Sequence, residues 1–130
     1  MKNRYLLDTQ TFLVAAQEGG IVSPRAKRTL LRTDHALYLS LISLWEMQIK
    51  LSLGKLRLPV PLSEAVQRAV TDLGLEILPL QLEHIYQLGE LPWHHRDPFD
   101  RLLIAQALVE QMVLIGSDRI FERYGVRRLW

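Results

Sequence analysis

At 130 residues, with 48% hydrophobic and 23% charged side chains, the chain has the length and composition of one globular domain with one continuous core. No apolar run approaches the ~20 residues of a membrane helix, no signal-peptide core follows Met1-Lys2-Asn3-Arg4, and the absence of cysteine excludes disulfides and thiol catalysis. The expectation is a single domain over residues 1–130, cytoplasmic and away from the membrane, whose formal net charge of +2 is small but unevenly spread.

Tyr5-Leu6-Leu7 followed by Asp8-Thr9 reads as a strand passing into a helix N-cap, with the helix continuing over Thr11 to Ala16 until Gly19-Gly20 stops it. Ser23-Pro24 starts a second helix, Ser as cap and Pro in first position, carrying Arg25 to Arg32. Ala36 to Ser40 is the next strand, and from Ser43 a helical pattern runs to Gly54. Lys55 to Pro61 reads as a loop. A helix from Leu62 to about Leu73 is closed by Gly74 before a strand over Leu75 to Leu78. Gln81 to Leu88 has helical spacing, and Gly89 to Pro98 is a polar loop. Phe99 to Gln111 carries the strongest helical pattern, and Val113 to Ile115 is the clearest buried strand. A short helix at Ile120-Phe121 and a strand over Val126 to Leu129 finish the chain. This alternation predicts an α/β fold with a mainly parallel sheet between helices.

In such sheets ligands bind outside the carboxyl ends of the strands. Asp8 and Asp118 fall at strand ends on that edge, and Glu46 and Asp100 in the first turns of helices entered from it. Taking an ionised carboxylate out of water is costly, so four acids beside apolar runs point to a cation. Oxygen donors without cysteine favour Mg²⁺ or Mn²⁺ over zinc, for which His84, His94 and His95 are the remaining candidates. The expected ligands are Asp8, Asp100 and Asp118, with Glu46 completing the shell or positioning water. The hydroxyls of Thr9, Ser43 and Ser117 are placed to orient the carboxylates. A site of this kind hydrolyses phosphodiesters without a covalent nucleophile.

Each acid also has a plain structural account: Asp8 and Asp100 as helix-start residues, Glu46 as a solvated acid favoured by the helix dipole, Asp118 as a turn. Asp97-Pro98 is independently a good cap. Arg25, Arg28 and Arg32 share one helix face, and Arg119, Arg123, Arg127 and Arg128 crowd the last stretch of the chain. These are candidates for nucleic-acid contact through phosphate neutralisation, or solvated surface. His94-His95 sits in a polar loop with either a ligand contact or simple exposure as its account. Trp45 and Trp93 could stack on bases, although Trp45, in an apolar segment, is expected in the core or at an interface.

Leu6-Leu7-Asp8-Thr9, then Ser43-Leu44-Trp45-Glu46-Met47-Gln48-Ile49-Lys50 with Leu53-Gly54-Lys55-Leu56, then the run from His95-Arg96-Asp97-Pro98-Phe99-Asp100-Arg101 to Ala107, then Ser117-Asp118-Arg119-Ile120-Phe121, occur in this order. Together they resemble the motifs of PIN-domain ribonucleases, and among these the VapC-type toxins of bacterial toxin–antitoxin pairs. The resemblance runs from Tyr5 to about Leu129. It implies a three-layer α/β/α fold, Mg²⁺- or Mn²⁺-dependent endoribonuclease activity, a homodimer and a VapB-like antitoxin. It also implies that Asp8, Glu46, Asp100 and Asp118 are the four acids of the site, and it makes Arg25, Arg28, Arg32 and Arg119 RNA-contact candidates. Val14 departs from the pattern, standing where relatives often carry an aromatic residue. Two other readings stay open: a catalytically inactive PIN-fold module binding RNA or protein, and an aspartyl-phosphate phosphatase or phosphoacceptor domain. Against the last, Gln10 stands two residues beyond Asp8 where such a site would show a second acid.

Overall fold

The computed structural model describes residues 3–17 and 22–130. In chain order the elements are β1 (Arg4–Leu7), α1 (Thr9–Ala15), α2 (Pro24–Leu31), β2 (Ala36–Ser40), α3 (Leu41–Ser52), α4 (Leu62–Leu73), β3 (Glu76–Leu78), α5 (Leu82–Glu90), α6 (Pro98–Glu110), β4 (Val113–Ile115) and β5 (Arg128–Leu129). A 3-10 helix, Arg119–Tyr124, joins the last two strands. The sheet runs β3-β2-β1-β4-β5 and every pairing is parallel, with Leu7 level with Leu39 on one side and Ile115 on the other.

The period-2 alternation of strand side chains makes three layers from this sheet. Leu6, Tyr38 and Leu114 face α5, α6 and the 3-10 helix, where Leu103, Phe121 and Tyr124 pack. Tyr5, Leu7, Leu37, Leu39 and Ile115 face the opposite way, onto Phe12, Leu30, Met47 and Leu73. Leu6 and Leu7 are fully buried at the centre, and truncating such a side chain typically costs ~2–5 kcal/mol. The strand that presents Asp8 is therefore among the least movable parts of the molecule. No helix among the described residues is long and apolar enough to cross a membrane.

The sequence reading places every one of these elements, with shifts at their ends. The expected helix stop at Gly19-Gly20 lies outside the described residues, as does Met1-Lys2; Ala16 caps α1. Helix α3 starts at Leu41, not Ser43, because Ser40 is both the last strand residue and the cap, its hydroxyl accepting from the Ile42 N–H at 3.0 Å. Glu46 accordingly sits in the second turn, beyond the free N–H groups of the helix start, and the first-turn expectation for it is corrected. Helix α5 runs on to Glu90, Pro98 is already the first residue of α6, and β3 and β5 are shorter than expected. Val126 is buried in the core without strand pairing.

Candidate functional site

The four acids come from four separate elements to one cleft of roughly 240 Å³, also lined by Thr9, Gln10, Leu13, Lys50, Ser117 and Phe121. Asp8 directly follows β1 and caps α1, one carboxylate oxygen accepting the Thr11 N–H at 2.7 Å. Its backbone N–H continues the ladder to the Ile115 carbonyl at 3.0 Å. The other carboxylate oxygen lies against Gly116, where a Cβ would stand 2.5 Å from it. A side chain there would have to displace the acid, so Gly116 belongs to the site, a role that sequence reading missed. The Gly116 carbonyl accepts from Arg128 at 2.9 Å, and Arg128 also pairs with Glu122 at 3.1 Å. Arg128 is thus a mostly buried brace for this turn, which corrects its placement among RNA-guiding arginines.

Glu46 is buried and held from two sides. The Thr9 hydroxyl lies 2.9 Å from both Ser43 Oγ and Glu46 Oε1, and Lys50 Nζ is 2.9 Å from Glu46 Oε2. With one proton per hydroxyl, Ser43 donating to Thr9 and Thr9 to the carboxylate satisfies all three. Thr9 thus touches the Glu46 carboxylate directly, and Ser43 touches Thr9. Ser117 is exposed and lines the cleft without a hydrogen bond to an acid among the described residues. Asp100 stands in the first turn of α6, whose cap Asp97 accepts the N–H groups of Phe99 and Asp100 at 2.9 and 3.1 Å. Asp118 is exposed and caps the 3-10 helix through the Ile120 N–H at 3.0 Å.

The cleft is short of positive charge. Burial raises the Asp8 carboxyl above its ordinary value, and Asp118 and Glu46 push it the same way against the Thr11 hydrogen bonds. Asp100 is pushed up to about 6, by burial first and the Asp97 charge next, with His95 pulling in the other direction. Lys50 is raised, chiefly by its hydrogen bond to Glu46. It is the cation that sequence reading left out, visible only as the i+4 neighbour of Glu46.

Oxygen-only donors and two carboxyls whose charge is disfavoured fit a hard divalent cation. Among the described residues no three His, Asp or Glu side chains are drawn close enough to cage an ion. His84 is away from the cleft, fully buried and bonded to the Gln81 N–H at 3.0 Å, so it is no ligand there. His95 touches Asp100 instead. Arg119 flanks Asp118 at the surface, whereas Arg25, Arg28 and Arg32 line a separate depression sharing no residue with the cleft. Trp45 is 59% exposed, its edge against Phe99 at 5.4 Å, so it is not a core residue.

A family model described as the PIN domain matches residues 5–127. Comparison with curated proteins finds no match. Among solved structures, VapBC2 from Rickettsia felis bound to a promoter DNA fragment superposes with a TM-score of 0.75 at 18% identity, over 97% of both chains. DNA-bound VapBC from Salmonella typhimurium gives 0.68 at 20% identity, over 99% of this chain and 98% of that one. FitAcB from Neisseria gonorrhoeae gives 0.67 at 17% identity, over 97% and 96%.

Proposed function

The chain belongs to the PIN-domain family, and from that premise we propose that it is a metal-dependent endoribonuclease, the toxin of a VapBC-type toxin–antitoxin pair. The observation that carries this reading is the convergence of Asp8, Glu46, Asp100 and Asp118 on one cleft at the carboxyl edge of the parallel sheet. Mg²⁺ or Mn²⁺ bound there would activate water and neutralise charge building on a phosphoryl group. Asp8, Asp100 and Asp118 would hold the ion. Glu46, oriented by Thr9, takes a proton from or positions the attacking water. Lys50, half exposed beside Glu46, and Arg119 at the rim hold the RNA phosphates. Arg25, Arg28 and Arg32 contribute long-range attraction from their separate face.

The likeness in fold to chains of VapBC complexes supports a VapB-like antitoxin as partner. A groove of roughly 280 Å³ between α1 and α4, with Phe12, Ala69 and Leu73 as apolar lining and Arg68 and Asp72 as charged lining, has the chemistry to seat an amphipathic antitoxin segment. A homodimer in the cytoplasm completes the reading.

The test is cleavage of a labelled RNA pool by wild type, Asp8→Asn and Asp100→Asn, in Mn²⁺ or Mg²⁺ and in EDTA. Cleavage should require metal and fall by at least on the order of 10²-fold in each variant, with circular dichroism unchanged. Full metal-dependent activity in both variants would overturn the assignment.

A further inference from the structure

We propose that His95, itself fixed by Tyr124, is a positioning residue that holds the Asp100 carboxylate ready for the metal; this rests on the metal-site reading above. Tyr124 is buried, and its hydroxyl oxygen receives the backbone N–H groups of His94 at 3.1 Å and His95 at 3.0 Å and a guanidinium N–H of Arg101 at 3.2 Å. A phenol oxygen has two lone pairs, which three donors must already share, so a fourth donor would find none free. Its own proton has two acceptors in reach, His95 Nδ1 at 2.7 Å and the His95 carbonyl at 3.5 Å. The shorter contact takes it. With Nδ1 an acceptor, the ring N–H stands on Nε2, 3.4 Å from Asp100 Oδ2. The opposite tautomer would bring a fourth donor to the phenol and turn a bare nitrogen lone pair toward a carboxylate.

The hub that sets this tautomer is rigid. Arg101 is 4% exposed and donates to the Pro92 carbonyl at 2.7 Å and the Leu91 carbonyl at 3.5 Å, while the Trp93 ring lies over its guanidinium at 3.7 Å. Loop residues 91–95 are thereby tied to α6 and to the 3-10 helix at once. An N–H directed at one oxygen of Asp100, at 3.4 Å, biases the rotation of the carboxylate, so less freedom is lost when a ligand binds. His95 acts through Asp100 and makes no hydrogen bond or ion pair with the other three acids among the described residues.

Wild type, His95→Ala, His95→Gln and Asp100→Asn would be titrated with MnCl₂ by calorimetry, and their metal-free stabilities compared by thermal unfolding in EDTA. Wild type should bind through Asp100; His95→Ala should bind about 10-fold or more weakly with its metal-free Tm nearly unchanged. His95→Gln, whose amide can replace the Nε2–H, should recover part of the affinity. A lowered Tm with wild-type affinity would make the role merely structural and overturn the proposal. Nitrogen-15 NMR of the metal-free wild type reads the ring directly: protonation on Nε2 is expected, and protonation on Nδ1 overturns the relay. Asp100-dependent binding that ignores His95 removes this proposal alone, whereas binding that ignores Asp100 removes the metal-site reading with it.

Discussion

Two polar clusters, one at each end, share helix α6 and handle their polar groups in opposite ways. Toward its carboxyl end, Gln106 and Glu110 meet His84 of α5 and Ser40 of β2. Each group there finds a complement: Ser40 to Gln106 at 2.5 Å, Gln106 to the Pro79 carbonyl at 3.4 Å, the Gln81 N–H to His84 at 3.0 Å, and Arg4 to the Glu110 carbonyl at 2.8 Å. At its amino end, Asp100 lines one cleft with three more carboxylates, and among the described residues Lys50 alone pairs any of them through an ammonium. Satisfied buried networks specify packing, whereas surplus charge of one sign costs stability and awaits a ligand. The first cluster fits an account of folding alone; the second does not.

The comparison breaks most visibly at His84. Its side chain is fully buried, and His84→Ala would open a cavity and strand the Gln81 N–H and Gln106, a loss of about 3 kcal/mol. Urea unfolding should register that loss while calorimetry finds Mn²⁺ affinity unchanged. A matching fall in affinity would mean that the two ends of α6 are one unit. Gly116→Ala is the converse case. A Cβ 2.5 Å from the Asp8 carboxylate must displace a side chain already fixed by Thr11, so Mn²⁺ affinity should drop roughly 10- to 100-fold with a smaller change in stability. Unchanged affinity would show that Asp8 is only a helix cap.

What was legible in the sequence follows the range of the interactions involved. Ser23, Asp8 and Asp97 were readable as caps because the N–H groups they serve lie two or three residues away. The strands were readable because a short apolar run bounded by turn or cap residues is a local signal, and Asp8 and Asp118 came with them to one edge. Glu46 was misplaced by one turn because β2 enters α3 with no intervening loop, leaving no breaker to mark the start. Gly116 against Asp8, Arg128 under Gly116, and Tyr124 beneath His95 all join residues far apart in the chain. Only the parallel register and the return of the 3-10 helix bring them together, and no local pattern announces them.

The smallest of the expected effects concerns the sign of a pH dependence. The Asp100 carboxyl is pushed up to about 6 from 3.8, mainly by burial. Between those values the folded chain holds a proton that the unfolded chain has released. Stability of the metal-free protein from this group therefore falls as pH rises through the window, opposite to an acid held in a salt bridge. A divalent ion needs the charged form, so its affinity should rise over the same interval by at most about tenfold per pH unit and level off above it. Thermal unfolding in EDTA and Mn²⁺ titrations across the window should show the two opposing slopes, and Asp100→Asn should flatten the first. If metal-free stability instead climbs with pH through Asp100, that carboxylate is already compensated within the fold, and the acidic cleft is no different in kind from the cluster around His84.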